Sequence, residues 1–154
     1  MIKHITAKNL FKEYQGRCVV NNVSLSVNQG EIIGLLGPNG AGKTTTFYMI
    51  VGLVRSKSGN VFLNQNDITN LPMYKRARLG LGYLPQEPSI FKKLNVEENI
   101  RILLELIQPI APDQFETRIN ELIMELGLDH VRYSKGFQLS GGEKRRVEIA
   151  RTLA

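Results

Sequence analysis

Two hydrophobic rhythms divide this chain. Up to about residue 86 the apolar residues alternate or cluster in short β-branched runs; beyond Pro88 they recur every three or four positions. Residues 2–7 and 19–27 predict strands flanking a Gln15-Gly16 turn, which suggests a small antiparallel layer. Residues 31–36 are almost wholly apolar and predict a parallel strand buried on both faces. That run leads into a glycine loop, after which residues 43–53 predict a helix. Residues 61–63 and 81–84 predict further short strands, with a short basic helix over 72–79 between them. Past Pro88, Asn95 and Glu98 form an N-cap and capping-box pair ahead of a helix over 96–107, which Pro109 ends. Asp113 with Glu116 repeats the device, and Phe115, Ile119, Leu122, Ile123 and Leu126 keep helical spacing until Gly127. The expected fold is α/β: a core over residues 1–86 with a parallel sheet and an antiparallel layer, a helical subdomain over 87–138, and a last helix over 139–154.

Composition narrows the class. The 154 residues suit one domain, and 42% apolar with 22% charged residues is ordinary for a soluble globular protein. The first six residues contain no apolar stretch of the signal-peptide kind, and no apolar run approaches the roughly 18 residues that span a bilayer. Cys18 is the single cysteine, so no internal disulfide forms; it reads as a small strand-edge residue. The formal charge of +6 is concentrated near the C-terminal end, where residues 132–151 hold six basic residues against two acidic ones. No aromatic residues alternate with those charges, and no nucleic-acid-binding motif accompanies them. The excess therefore reads as a surface whose acidic counterpart would come after residue 154.

Chemistry enters at GPNGAGKT, residues 37–44. In the pattern G-x-x-x-x-G-K-[ST], glycines allow positive φ and present no Cβ, so backbone N–H groups can turn onto phosphate oxygens. Gly37, Pro38, Asn39, Gly40, Ala41 and Gly42 form this cradle. Lys43 supplies a point charge for the β- and γ-phosphates, the Thr44 hydroxyl can join a Mg²⁺ shell, and Thr45 can reach an α-phosphate oxygen. The helix beginning there aims its positive dipole end at the same anion. An incidental glycine turn with Lys-Thr is the plain alternative, but the apolar run before it and the helix after it are the context that nucleotide binding requires.

A second element, LSGGE over 139–143, is itself an S-x-x-E capping box, with Ser140 at the N-cap and Glu143 reaching back. Gly141 and Gly142 each cost roughly 1 kcal/mol in a helical turn relative to alanine. Lys144, Arg145 and Arg146 add positive charge where the helix dipole is already positive. A helix built only for stability would avoid both choices, so this N-terminus reads as open to an approaching anion.

With both motifs in this order, the chain resembles the nucleotide-binding domains of ABC transporters, a P-loop NTPase fold, from residue 2 to 154. The resemblance is tightest over 37–54, 82–100 and 139–154. Within the family, the strings GYLPQEPSIF (82–91) and TTTFYM (44–49) resemble the lipopolysaccharide-export branch. Several roles are implied by this resemblance. Tyr14 would stack on adenine, with Phe11 the competing candidate. Gln86 would be the Q-loop glutamine, sharing Mg²⁺ with Thr44. Residues 87–95 would begin the face toward membrane subunits, with Phe91 either in a groove for a short helix of the permease or packed in the core. His4 and His130 precede the signature, match no family histidine and read as solvated bystanders. Two copies would sandwich ATP head to tail, residues 37–45 of one against 140–143 of the other, on the cytoplasmic face of the inner membrane.

The family's Asp-Glu strand, with its catalytic glutamate, and its switch histidine would both lie beyond Ala154. The resemblance therefore implies a fragment that carries no catalytic residue, turns over ATP negligibly by itself and is poorly soluble. The missing strand would neighbour residues 31–36 and leave their side chains open to water. Three alternatives stand beside the exporter reading: a non-hydrolysing regulatory nucleotide-binding module, the ATPase of another ABC transporter, and a soluble ABC protein of translation or DNA repair.

Overall fold

The computed structural model describes residues 4–107 and 111–154, apart from the side chains of Ile107, Pro112 and Asp113. Residues 2 and 3 of the first expected strand, the Pro109 helix stop and the Asp113 cap lie outside what is described. The chain forms two compact units, Met1–Leu81 and Gly82–Ala154.

In the first unit, β1 (His4–Tyr14) and β2 (Arg17–Asn28) make an antiparallel hairpin. Gln15 and Gly16 turn it with φ of 49° and 79°, the paired positive values that a two-residue hairpin loop needs. A bulge interrupts β1 after Ala7: Asn9 takes φ 52° and bonds Asn22 across the hairpin at 2.7 Å. β3 (Ser58–Leu63) pairs antiparallel with the other edge of β1, and the short β4 (Asn66–Asp67) completes the order β2-β1-β3-β4. A Cβ on Gly59 would lie 2.4 Å from the Asn9 carbonyl, so the bulge and this glycine depend on each other. α1 (Lys43–Val51) lays Met49 and Ile50 on a core of Ala7, Leu10, Val20, Val61 and Ile68.

α2 (Met73–Arg78) contributes a buried arginine. Arg76 donates to the carbonyls of Met49 and Ile50, in the last turn of α1, and to those of Thr69 and Leu71. Burial pushes its guanidinium pKa down, and Asp67 partly offsets that. One side chain thus satisfies the carbonyls that a helix C-terminus leaves over.

Three expectations need correction. Residues 31–36 form no strand, and Ile32 and Leu36 are 98% and 91% exposed. Residues 81–84 are not a strand either, and among the described residues no strands pair in parallel, so the anticipated parallel core sheet is not assembled there. A strand buried on both faces takes its stability from neighbours at its edges and cover on each side. The four described strands pair only with one another, so an apolar run alone does not suffice. The expected exposure of the 31–36 side chains is observed.

The second unit is helical: α3 (Val96–Ile107), α4 (Pro112–Glu125) and α5 (Gly141–Leu153). Val96, Ile100, Leu104, Ile119, Leu122, Ile123, Leu128, Val147 and Ala150 form one fully buried core. Asn95 accepts from the Glu98 amide at 2.8 Å while Glu98 accepts from that of Asn95 at 2.7 Å, the anticipated box. Gly127 stops α4 at φ 59°. Single 3₁₀ turns over Asp129–Val131 and Gly136–Gln138 bring the chain to α5. Among the described residues no helix is long and apolar enough to cross a membrane.

Candidate functional site

Two elements carry the candidate chemistry, one in each unit. In the first, residues 37–41 are exposed, with Gly40 and Gly42 at φ 81° and 83°. A Cβ on Gly42 would come within 2.3 Å of the Val19 carbonyl, so only glycine lets the loop close onto β2. Gly42 is also the N-cap of α1, with no side-chain cap and no acidic residue in the first turn. The positive end of that helix is left to an external anion. Lys43 folds back inside the loop, its Nζ donating to the Gly37 and Pro38 carbonyls at 2.7 Å each. An ammonium ringed by exposed loop backbone, beside an uncapped helix start, fits a triphosphate. Thr44 is exposed, Thr45 half-buried and Thr46 buried, with the Thr46 amide bonded to the Gly42 carbonyl at 2.8 Å. Tyr14, at the end of β1, is 46% exposed and has the Lys12 ammonium 5.1 Å from its ring centre, whereas Phe11 is half-buried beside Ser58.

In the second unit, Ser140 caps α5 as read from the sequence. Its Oγ accepts from the Glu143 amide at 3.3 Å, while Glu143 Oε2 accepts from the Ser140 amide at 2.8 Å and hydroxyl at 2.7 Å. Those Ser140 bonds hold the Glu143 carboxyl below its ordinary range, with His130 adding to the effect. A Cβ on Gly141 would meet nothing within 4 Å, and one on Gly142 only the end of Arg146 at 3.8 Å. The chain's own packing does not require these two glycines, which leaves room for a ligand to approach the helix start. His130 is solvated as expected, but it is not without a partner: its Nε2 lies 3.2 Å from Glu143 Oε1, because the 3₁₀ turn after Leu128 places it there.

Gln86 is exposed and lines a shallow cleft of about 170 Å³ with Pro88, Gly141, Lys144, Arg145 and Glu148. Its surroundings hold a set of polar contacts that sequence reading missed. Glu148 is 4% exposed and accepts from the Ser89 amide at 2.6 Å and from Arg145 at 3.1 Å. Arg145 also donates to the Pro85 carbonyl at 2.8 Å. Arg151 donates to the Ser89 carbonyl and lies 4.6 Å from the centre of the Phe91 ring, which is 45% exposed. Buried Asn99 closes the segment, accepting from the Phe91 amide at 2.9 Å and donating to the Phe91 carbonyl at 3.1 Å. In sequence Asn99 and Glu148 are unremarked polar positions on helices, and Arg145 and Arg151 read only as part of a basic surface. Their only signal is the interruption of an apolar face, as Glu148 interrupts Val147 and Ala150.

Comparison with known proteins agrees with the geometry. The profile of the ABC transporter family matches residues 20–154. The chain is 57% identical over 150 residues to the Escherichia coli K12 "Lipopolysaccharide export system ATP-binding protein LptB", covering 97% of this chain and 62% of that protein. The Acidithiobacillus ferridurans protein of the same name is 56% identical over 154 residues, with 64% of its length covered. The chain thus spans under two thirds of these relatives. Among solved structures, the ADP conformation of MJ1267, an ATP-binding cassette of an ABC transporter, superposes with a TM-score of 0.84 at 27% identity, over 98% of this chain and 64% of that one.

Proposed function

The chain belongs to the ABC transporter family, and from that premise we propose that it is the ATP-binding part of the ATPase subunit of a lipopolysaccharide exporter. Lys43 supports the reading most directly: its ammonium sits inside an exposed glycine loop at the start of an uncapped helix. In this reading residues 37–45 hold the triphosphate, Thr44 offers its hydroxyl to Mg²⁺, and Tyr14 stacks on the base. The Gln86 amide responds to the metal. Mg²⁺ supplies charge neutralisation on the phosphates when bound. Ser140, Gly141, Gly142 and Glu143 face the nucleotide of a second copy, so ATP draws two copies together and hydrolysis lets them part. The subunit sits on the cytoplasmic face of the inner membrane against transmembrane permease subunits, with the half-exposed Phe91 ring in the docking face. The substrate assignment is supported by the identity to the two LptB proteins.

In the full-length protein, Lys43→Ala weakens MgATP binding by about a hundredfold or more, measured by calorimetry. Ser140→Arg leaves binding within about threefold but abolishes ATP-dependent pairing. Pairing like wild type in both variants refutes the scheme. Phe91→Ala binds ATP normally yet loses co-purification with the permease; full recovery of the complex removes Phe91 from that interface. ATP-driven release of lipopolysaccharide from vesicles holding the assembled transporter tests the substrate, and release of a different lipid reassigns it.

A further inference from the structure

We infer that Glu148 is a positioning residue for Gln86, fixing from within α5 where the segment bearing that amide lies. The inference rests on the proposed role of Gln86 in ATP turnover. The backbone is held on both sides of Gln86 by residues of one helix: Arg145 takes the Pro85 carbonyl, Glu148 the Ser89 amide, and Arg151 the Ser89 carbonyl. Pro85 and Pro88 have no N–H to give, so the segment can do little to order itself. Its course depends on donors and acceptors from outside.

Glu148 is the centre of this arrangement and the hardest part to explain by stability. A carboxylate at 4% exposure loses most of its solvation, which is unfavourable unless its partners are well placed. An apolar side chain like those of Val147 and Ala150 would be buried without that loss. What the carboxylate gains is a 2.6 Å bond to a loop amide and a bond to Arg145, both of which specify position. Ser140 caps α5 about two turns earlier, so the Gln86 segment and the signature turn are fastened to one rod. A displacement of either is delivered to the other through Glu148.

The test compares Glu148→Ala, Glu148→Gln and Arg145→Ala in the full-length ATPase. Without nucleotide, amide hydrogen exchange at Ser89 accelerates about tenfold or more in Glu148→Ala and stays near wild type in Glu148→Gln, which keeps an acceptor. With MgATP, Glu148→Ala lowers kcat about tenfold with KM for ATP within about twofold, and raises the Mg²⁺ concentration for half-maximal turnover, as Gln86→Ala does. The double variant Gln86→Ala, Glu148→Ala turns over no more slowly than Gln86→Ala alone. Arg145→Ala, at an exposed position that leaves the core intact, moves the same readouts less. Unchanged exchange at Ser89 overturns the inference. So does a lowered melting temperature with unchanged Mg²⁺ dependence, or losses that multiply in the double variant. A wild-type-like Gln86→Ala, with Ser89 still released by Glu148→Ala, instead overturns the role given to Gln86.

Discussion

The helical unit closes its own core, whereas the nucleotide-loop unit leaves its most hydrophobic run in water. In Gly82–Ala154, Ile100, Leu104, Ile119, Leu122 and Ile123 are all completely buried among α3, α4 and α5. In Met1–Leu81, the hairpin, α1, β3 and Ile68 bury seven residues together, yet Ile32 and Leu36 are almost fully exposed. The difference follows from how each element satisfies itself. A helix completes its backbone bonds internally and needs cover on one stripe. A strand meant for the centre of a sheet needs partners on both edges and both faces.

The largest predicted contrast lies there. Leu122→Ala destabilises the protein by about 4 kcal/mol through lost burial and a residual cavity. Ile32→Ala, and equally Leu36→Ala, changes the stability of this 154-residue chain by less than about 0.5 kcal/mol. Urea unfolding followed by circular dichroism checks both. A cost at Ile32 comparable to that at Leu122 would break the contrast and show the run to be packed in solution.

That contrast also explains what could be read from sequence. Asn95 with Glu98, Ser140 with Glu143, and the spacing from Phe115 to Leu126 are local devices, each complete within one turn or one helix, and they stand as read. The Gln15-Gly16 turn was legible for the same reason. Residues 31–36 and 81–84 were misread because their burial depends on partners that periodicity cannot show. Of the candidate site, the glycine loop with Lys43 and the signature cap were visible as patterns. Arg76, Glu148 and the His130–Glu143 contact were not, because each joins positions that only tertiary packing brings together.

Arg76 offers the next sharpest probe, since it is the first unit's counterpart to the helical unit's buried polar anchors. Arg76→Ala leaves carbonyls of Met49, Ile50, Thr69 and Leu71 without their donor, costing about 3 kcal/mol and fraying the end of α1. Gly52→Ala acts in the same direction by a shorter route: at φ 86° its Cβ would meet Arg76 Nε at 2.7 Å. Exchange at the last α1 amides reports both, and retention of wild-type protection in Arg76→Ala would remove the arginine from the helix terminus. Ser140→Ala, which deletes only a cap in the other unit, costs about 1 kcal/mol in thermal unfolding.

The smallest expected effect concerns pH, and it isolates the signature turn. The Ser140 hydroxyl and amide, then His130, bond the Glu143 carboxylate and lower its pKa beneath the ordinary 4.5. A carboxyl that is more acidic in the folded state stabilises that state fully above its unfolded pKa. The contribution disappears as pH falls from about 4.5 through the lowered folded value. Acidification over that window therefore loosens the first turn of α5, and amide exchange at Glu143, corrected for the intrinsic pH dependence, rises relative to Val147. Glu143→Gln keeps an acceptor for Ser140 and has no proton to gain, so its first turn loses this dependence. Glu97 titrates in the same direction: burial raises its pKa, but hydrogen bonds from Arg101 and Arg132 lower it by more. Its effect falls on α3, so the Glu143-to-Val147 comparison within one helix separates the two. If Glu143→Gln retained the full acid response of that turn, the capping carboxylate would not be its source.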